Sequence, residues 1–147
     1  MLNIRIIVPC YNSENFVEET FYKIKEVLAK IYFCKCHVYL IDDGSLDNTF
    51  SKLNELCAET DNFYTLTKEN GGEGSARNYA LNIDKELYDY VFFADSDDIV
   101  MTDFSLALSK LIKTKPDLLV CSYVQTDSLT QKVLKTYNQP DISYSKE

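Results

Sequence analysis

The sequence is poor in clustered positive charge, in paired cysteine motifs and in long apolar runs, and each lack argues against a class of function. Fifteen Lys and Arg stand against 23 Asp and Glu, for a formal net charge of −8. Nucleic acid and anionic lipid surfaces both require clustered cations, so neither is an expected partner. A phosphorylated small molecule survives the same argument, because a bound divalent cation inverts the local sign of a carboxylate-rich site. The five cysteines, Cys10, Cys34, Cys36, Cys57 and Cys121, are odd in number and lack the Cys-x-x-Cys spacing of zinc sites. Cys34-Lys35-Cys36 has no second pair to complete it, and the lone His37 is adjacent rather than at ligand spacing, so these residues read as packing. Unpaired thiols suit a reducing compartment. Ile6-Ile7-Val8, stopped by Pro9, is too short for a signal-peptide core, and no segment approaches the ~18 to 20 apolar residues of a membrane span. The expectation is a cytoplasmic chain without a transmembrane segment, at most peripheral to a membrane.

What the sequence does contain is 147 residues with 46% hydrophobic content, enough for one domain with a core and too few for two ordinary ones. Short β-rich runs alternate with segments of helical period, which predicts βαβ units and a mostly parallel sheet flanked by helices. Ile4 to Val8 reads as the first strand. A helix follows with Phe16, Val17, Phe21, Ile24, Val27, Leu28 and Ile31 on one face. Val38 to Ile41 is the second strand, and Asp47 caps a helix carrying Phe50, Leu53 and Leu56. Phe63 to Thr67 is the third strand, Ser75 to Ile83 a short helix, and Tyr90 to Ala94 a fourth strand. Beyond it Asp103 caps a helix through Leu106, Leu108, Leu111 and Ile112. Leu118 to Val124 resembles a further strand, with Lys132 to Tyr137 pairing as a hairpin. Residues 1–137 are expected to form a single α/β domain, and 138–147 a loosely ordered tail without periodic apolar signal.

In an open α/β sheet, ligands bind beyond the carboxyl ends of the strands, and three polar signatures fall there: Pro9 to Asn12, Asp42 to Ser45, and Asp95 to Asp98. Any one of them could be a turn. Asp95, Asp97 and Asp98 crowd three carboxylates together, and two unit charges ~4 Å apart repel by roughly 4 kcal/mol at an effective dielectric of about 20. The carboxylates must diverge into water, share a proton or hold a cation. Hard oxygen ligands suit Mg²⁺ or Mn²⁺, which take one or two carboxylates and complete their shell with water and phosphates. The competing reading is a solvated turn with Asp97 or Asp98 as a helix cap. The loop Asn70-Gly71-Gly72-Glu73-Gly74-Ser75-Ala76-Arg77-Asn78 favours the cation, since glycines allow close backbone approach and Arg77 supplies a fixed positive charge. It lacks the P-loop ending and the full dinucleotide-binding glycine spacing.

Together, Val8-Pro9-Cys10-Tyr11-Asn12, Asp42-Asp43-Gly44-Ser45-Leu46-Asp47-Asn48-Thr49, Gly71 to Asn78 and Asp95-Ser96-Asp97-Asp98 resemble the family 2 glycosyltransferases in order and spacing, over roughly residues 1 to 125. The resemblance implies a GT-A type nucleotide-diphospho-sugar transferase fold with a Rossmann-like nucleotide-binding half. It implies that Pro9, Tyr11, Asp42 and Asp43 lie at the base pocket and that Glu14, Gly74, Arg77, Asp95 and Ser96 complete the nucleotide-binding set. Arg77 would lie near the base and diphosphate, and Asp95 at the ribose. Asp97 would reach a Mn²⁺ or Mg²⁺ ion bridging the diphosphate, the family's Asp-x-Asp motif, and Asp98 would shape the sugar pocket. The implied reaction is inverting transfer from a nucleotide-diphosphate donor, a UDP-sugar by preference, to a glycan or lipid-linked acceptor in polysaccharide synthesis.

The family's acceptor-side Gln-x-x-Arg-Trp-like motif and its general base have no counterpart here. The sequence contains no Trp, and Asp127 and Asp141 read as surface carboxylates. The chain is therefore expected to be the donor-binding part, truncated on its C-terminal side, with no catalytic base assigned. Two alternatives stand beside it: a nucleotide-sugar-binding module without turnover, and a phosphohydrolase of the haloacid dehalogenase type. Phe92-Phe93-Ala94-Asp95-Ser96-Asp97 fits the opening of the latter, although Asp98-Ile99 replaces its Gly-Thr continuation.

Overall fold

The computed structural model of the chain describes residues 1–101, 103–127, 130, 132–138 and 143–144. The chain forms two compact units, Met1–Thr102 and Asp103–Glu147. The first carries β1 (Asn3–Cys10), α1 (Val17–Leu28), β2 (Lys35–Asp42), α2 (Thr49–Ala58), β3 (Phe63–Thr67), α3 (Glu73–Leu81) and β4 (Tyr90–Phe93). The four strands form one parallel sheet in the order β3-β2-β1-β4. The predicted fold class is the one observed.

Strand alternation separates the two faces of the sheet. On one, Tyr39 stacks on Tyr64 with ring centroids 5.0 Å apart, and Ile7, Tyr39 and Ile41 pack with Ala76 and Ala80 of α3. On the other, Phe21 of α1 meets Phe63 at 4.7 Å. β1 is buried from Ile4 to Cys10, as expected of a central parallel strand. Arg5 is also buried, on the α3 face, where it donates to the carbonyls of Ala80 and Ile83 at the end of that helix. Its guanidinium lies 4.0 Å from the Tyr88 ring centroid and 4.9 Å from that of Tyr39. A charge at 1% exposure is thus matched by carbonyl dipoles and aromatic faces rather than by a carboxylate.

Several local expectations shift. α1 begins at Val17, leaving Phe16 half exposed, and the chain leaves the helix before Ile31. The α1 start is set by Ser13, whose carbonyl accepts from the amides of Phe16 and Val17. α3 starts at Glu73 rather than Ser75, because Gly72 takes a φ of 83° that turns the chain into the helix. Asp47 does serve α2, its Oδ1 accepting the Thr49 amide at 2.9 Å. All five cysteines are unpaired.

The second unit holds α4 (Phe104–Thr114), β5 (Leu118–Leu119), β6 (Tyr123–Thr126), β7 (Val133–Tyr137) and β8 (Ser143–Tyr144). Asp103 stands at the start of α4, but its side chain makes no capping bond, and its carbonyl accepts from Leu106 instead. The single strand expected over Leu118 to Val124 is two strands with different partners. β5 pairs with β8. β6 pairs with β7 in the expected hairpin, where Tyr123 stacks on Tyr137 at 4.3 Å. Of the expected tail, Asn138 and β8 are described, and Asp141 lies outside the described residues. Among the described residues, no helix is long and apolar enough to cross a membrane.

Candidate functional site

The site lies at the carboxyl ends of β1, β2 and β4. Cys10 and Asp42 are register partners, so Tyr11 and Asp43 leave neighbouring strands side by side, and the Asp43 amide donates to the Cys10 carbonyl at 2.9 Å. On the other side of β1, the Ala94 amide donates to the Ile7 carbonyl at 3.1 Å, which delivers the acidic cluster one residue later. The result is an open pocket of about 390 Å³. The end of β1 contributes Pro9 and Cys10, the half-exposed Tyr11 follows it, and Asp43 follows β2. The loop before α3 adds Asn70, Gly72 and Glu73, and the segment after β4 adds Asp95, Ser96 and Asp97.

Asp43 is almost fully buried and heavily bonded. Lys68 Nζ donates to its Oδ1 at 2.5 Å, and the Gly71 and Gly72 amides donate to its Oδ2 at 3.1 and 2.7 Å. Burial pushes the carboxyl up, but Lys68 and the two amides together hold it below the usual carboxylate range. Asp43 is therefore an anion that shapes the glycine loop as well as a pocket wall. Lys68 is absent from the sequence-predicted set. Its only sequence signal is its place one residue beyond β3, whose Thr67 is in register with Asp42.

The segment after β4 is a turn and not a helix cap: the Asp98 amide donates to the Asp95 carbonyl at 3.1 Å, and the next helix starts only at Phe104. Asp95 Oδ1 accepts from Arg77 Nη2 at 2.7 Å, and the same nitrogen donates to Glu73 Oε1. Arg77 itself is not among the pocket-lining residues. Asp97 lines the pocket, and no hydrogen bond or ion pair engages its carboxylate among the described residues. Asp98 is exposed at the surface; desolvation of its carboxyl, then repulsion from Asp95 and Asp97, raises its pKa. Among the described residues no three His, Cys, Asp or Glu side chains converge as a preformed metal cage. A carboxylate facing the pocket without a partner, beside one held by an Arg, instead suits a hard divalent ion that takes one or two protein oxygens and fills its shell from phosphate.

A hydrogen-bonded chain ties these strand ends together. The Ser13 amide donates to Thr49 Oγ1 at 2.8 Å, and Thr49 Oγ1 donates to Asp47 Oδ1 at 2.5 Å. Ser13 Oγ lies 3.0 Å from Ser96 Oγ, and Thr20 Oγ1 donates to the Ser96 carbonyl at 2.6 Å. Ser96 is thus fixed from the β1–α1 loop and from α1 alike.

Other expected site residues stand back from the pocket. Asp42 is buried on the opposite face of β2, its Oδ2 accepting from Thr67 Oγ1 at 2.8 Å. Glu14 Oε2 accepts from the Asn48 amide at 2.9 Å, which serves the start of α2. Gly74 lies inside α3 with open space around it. In the second unit, Asp127 Oδ1 accepts from the amide and hydroxyl of Thr130 at 2.8 Å, a hairpin-turn role.

Comparison with known proteins gives this pocket a context. The family model described as glycosyl transferase family 2 matches residues 5–145. The chain is 28% identical to chondroitin synthase of Pasteurella multocida over 148 residues, covering 97% of this chain and 14% of that protein. It is 32% identical to poly-beta-1,6-N-acetyl-D-glucosamine synthase of Staphylococcus aureus over 115 residues, covering 78% of this chain and 26% of that one. Among solved structures, Staphylococcus aureus TarS 1-349 in complex with UDP-GlcNAc superposes with a TM-score of 0.59 at 30% identity, over 76% of this chain and 31% of that one. The chain thus spans a minor part of the length of each of these relatives.

Proposed function

The chain belongs to glycosyl transferase family 2, and from that premise we propose that its pocket binds the nucleotide-diphosphate donor of a metal-dependent, inverting sugar transfer. The observation that carries this reading is the convergence of three strand ends and the glycine loop on one open pocket of about 390 Å³, lined also by Asp97, whose carboxylate has no partner among the described residues. UDP is the favoured nucleotide, supported by the similarity to the TarS complex with UDP-GlcNAc. The similarity to two polysaccharide synthases supports a glycan or lipid-linked acceptor.

In this reading Pro9, Tyr11 and Asp43 form the wall against the base, Asp95 and Ser96 lie at the ribose, and Asp98 borders the sugar. Asp97, with Asp95 beside it, would hold Mn²⁺ or Mg²⁺. That ion supplies positive charge to the departing diphosphate. The chain's own residues bind and orient. Asp43 holds the Gly71 and Gly72 amides in place, and the Ser13 hydroxyl fixes Ser96 against the end of β1. The base that deprotonates the acceptor hydroxyl is not assigned to a residue of this chain.

Calorimetric titration with UDP and GDP, each with and without Mn²⁺, tests donor binding. UDP is expected to bind more tightly in Mn²⁺ than without it, with that difference lost in Asp97→Ala. A folded chain that binds neither nucleotide at millimolar concentration would refute the proposal. Because the chain covers 14% of chondroitin synthase, transfer is a separate question from binding, answered by measuring UDP release from a UDP-sugar. Binding without release would make the chain a donor-binding module. The phosphohydrolase alternative needs Asp95 free as a nucleophile, and Arg77 holds its Oδ1 at 2.7 Å.

A further inference from the structure

The pocket proposed to take a diphosphate is lined by four carboxylates, Asp43, Glu73, Asp95 and Asp97, and, among the described residues, by no Lys or Arg. Asp43 is answered by Lys68. The other three would meet an anionic ligand with Arg77 as the adjacent cation, and Arg77 is already engaged. Its Nη2 donates both to Asp95 Oδ1, at 2.7 Å, and to Glu73 Oε1. The Arg77 guanidinium also lies over the Phe93 ring, 5.5 Å from its centroid, so its position is set from β4.

The two carboxylates on Arg77 are mounted differently. Asp95 follows β4 directly, in the turn closed by the Asp98 amide. Glu73 opens α3 one turn before Arg77, and its side chain is 54% exposed, so it is free to swing into water. A carboxylate oxygen and a phosphate oxygen are interchangeable acceptors for a guanidinium, with phosphate carrying more charge.

We propose that Glu73 is an internal competitor for the donor's diphosphate: its carboxylate occupies on Arg77 the place a phosphate oxygen takes in the loaded protein, and it swings out when the donor binds. This rests on the donor-binding reading of the pocket. Glu73 lowers donor affinity in two ways, by occupying Arg77 and by keeping a negative charge on the pocket wall. A divalent ion at Asp97 offsets the second effect, so the influence of Glu73 is greatest when no such ion is present.

The test is calorimetric titration of the full chain with UDP, in chelator and in Mn²⁺. In chelator, Glu73→Gln is expected to bind UDP about three- to tenfold more tightly than the unsubstituted chain. The gain is expected to be smaller in Mn²⁺ and to shrink in an Arg77→Ala background to the part that comes from the charge on the pocket wall, the difference between the two backgrounds measuring the contact through Arg77. Glu73→Asp, which keeps the charge at the start of α3 but shortens its reach, removes the competition for Arg77 alone and is expected to show that Arg77-dependent part of the gain even if the Gln variant loses the first helical turn. The proposal is overturned if Glu73→Gln binds UDP no more tightly than the unsubstituted chain, or if the gain persists undiminished in Arg77→Ala. Failure of the unsubstituted chain to bind UDP in Mn²⁺ would instead sink the donor reading, and the two failures are distinguishable because that titration is made first.

Discussion

Lys68 Nζ lies 2.5 Å from Asp43 Oδ1, with the two side chains 16% and 2% exposed. The pair stands at the junction of β2, β3 and the glycine loop, and the Gly71 and Gly72 amides complete the shell of the carboxylate. A buried pair is weak support for stability when both partners are replaced, yet costly to break from one side, because the remaining charge is left in low dielectric. Lys68→Met is therefore expected to destabilise the chain by about 2–4 kcal/mol, measured by urea unfolding. It is also expected to weaken UDP binding, since Asp43 loses the partner that holds it under the loop. A loss below about 0.5 kcal/mol would mean that the loop amides alone satisfy Asp43.

The same carboxylate gives a pH dependence. Its folded-state pKa lies below the ordinary value, because Lys68 and the loop amides outweigh burial. A group depressed in the folded state contributes stability that is fully present above the unfolded pKa and is lost as pH falls through the folded one. Asp47, lowered by its bonds to Thr49 and Glu14 against the opposing effect of burial, acts in the same direction. Stability is expected to fall as pH drops from about 4 downward. In Asp43→Asn that fall should be shallower, as read from unfolding midpoints across the acid range. An identical acid profile in the variant would remove Asp43 from the explanation.

The strands β1 to β4 and helices α1 to α3 were legible because their apolar periods agree with the burial they adopt. Phe21, Ile24 and Val27 face inward along α1, and Ile6 to Val8 fill the central strand. Pro9, Tyr11, Asp43, Asp95, Ser96 and Asp97 were legible as residues at strand ends, and the parallel sheet brings them to one pocket. Lys68 was not, because its role depends on the register of β3 against β2, which periodicity does not encode. Arg5 is a cation within an otherwise apolar strand, and only the end of α3 beside it explains a cation there. The division of 118–124 into two strands was hidden because it depends on two distant pairing partners.

Arg5 offers a test of that buried cation. Arg5→Met keeps much of the apolar stem but leaves the part-buried Ile83 carbonyl without the Arg5 donor and the buried Ala80 carbonyl with only the Ile83 amide. Unsatisfied buried acceptors cost about 1–3 kcal/mol each. A loss of about 2–5 kcal/mol in chemical unfolding is expected, with Arg5→Lys intermediate because an ammonium lacks the fork that reaches two carbonyls. Equal stability of Arg5→Lys and the unsubstituted chain would show that charge alone, not geometry, matters at this position.

Two glycines near the site should respond in opposite directions to alanine. Gly44 has a φ of +71°, and a Cβ built there would stand 2.7 Å from the Asn70 backbone nitrogen, an atom that cannot move without displacing the pocket loop. Left-handed strain and the clash act together, so Gly44→Ala is expected to cost about 2–4 kcal/mol and to weaken UDP binding, since Asn70 lines the pocket. Gly74 lies within α3, and a Cβ there meets nothing within 4 Å. Alanine reduces the freedom of the unfolded chain without strain at such a position, so Gly74→Ala is expected to stabilise by about 0.4–1 kcal/mol. Thermal unfolding of both variants reads the contrast. A destabilised Gly74→Ala would show that the backbone at the start of α3 needs a conformation only glycine provides, and would return Gly74 to the set of residues that shape the pocket.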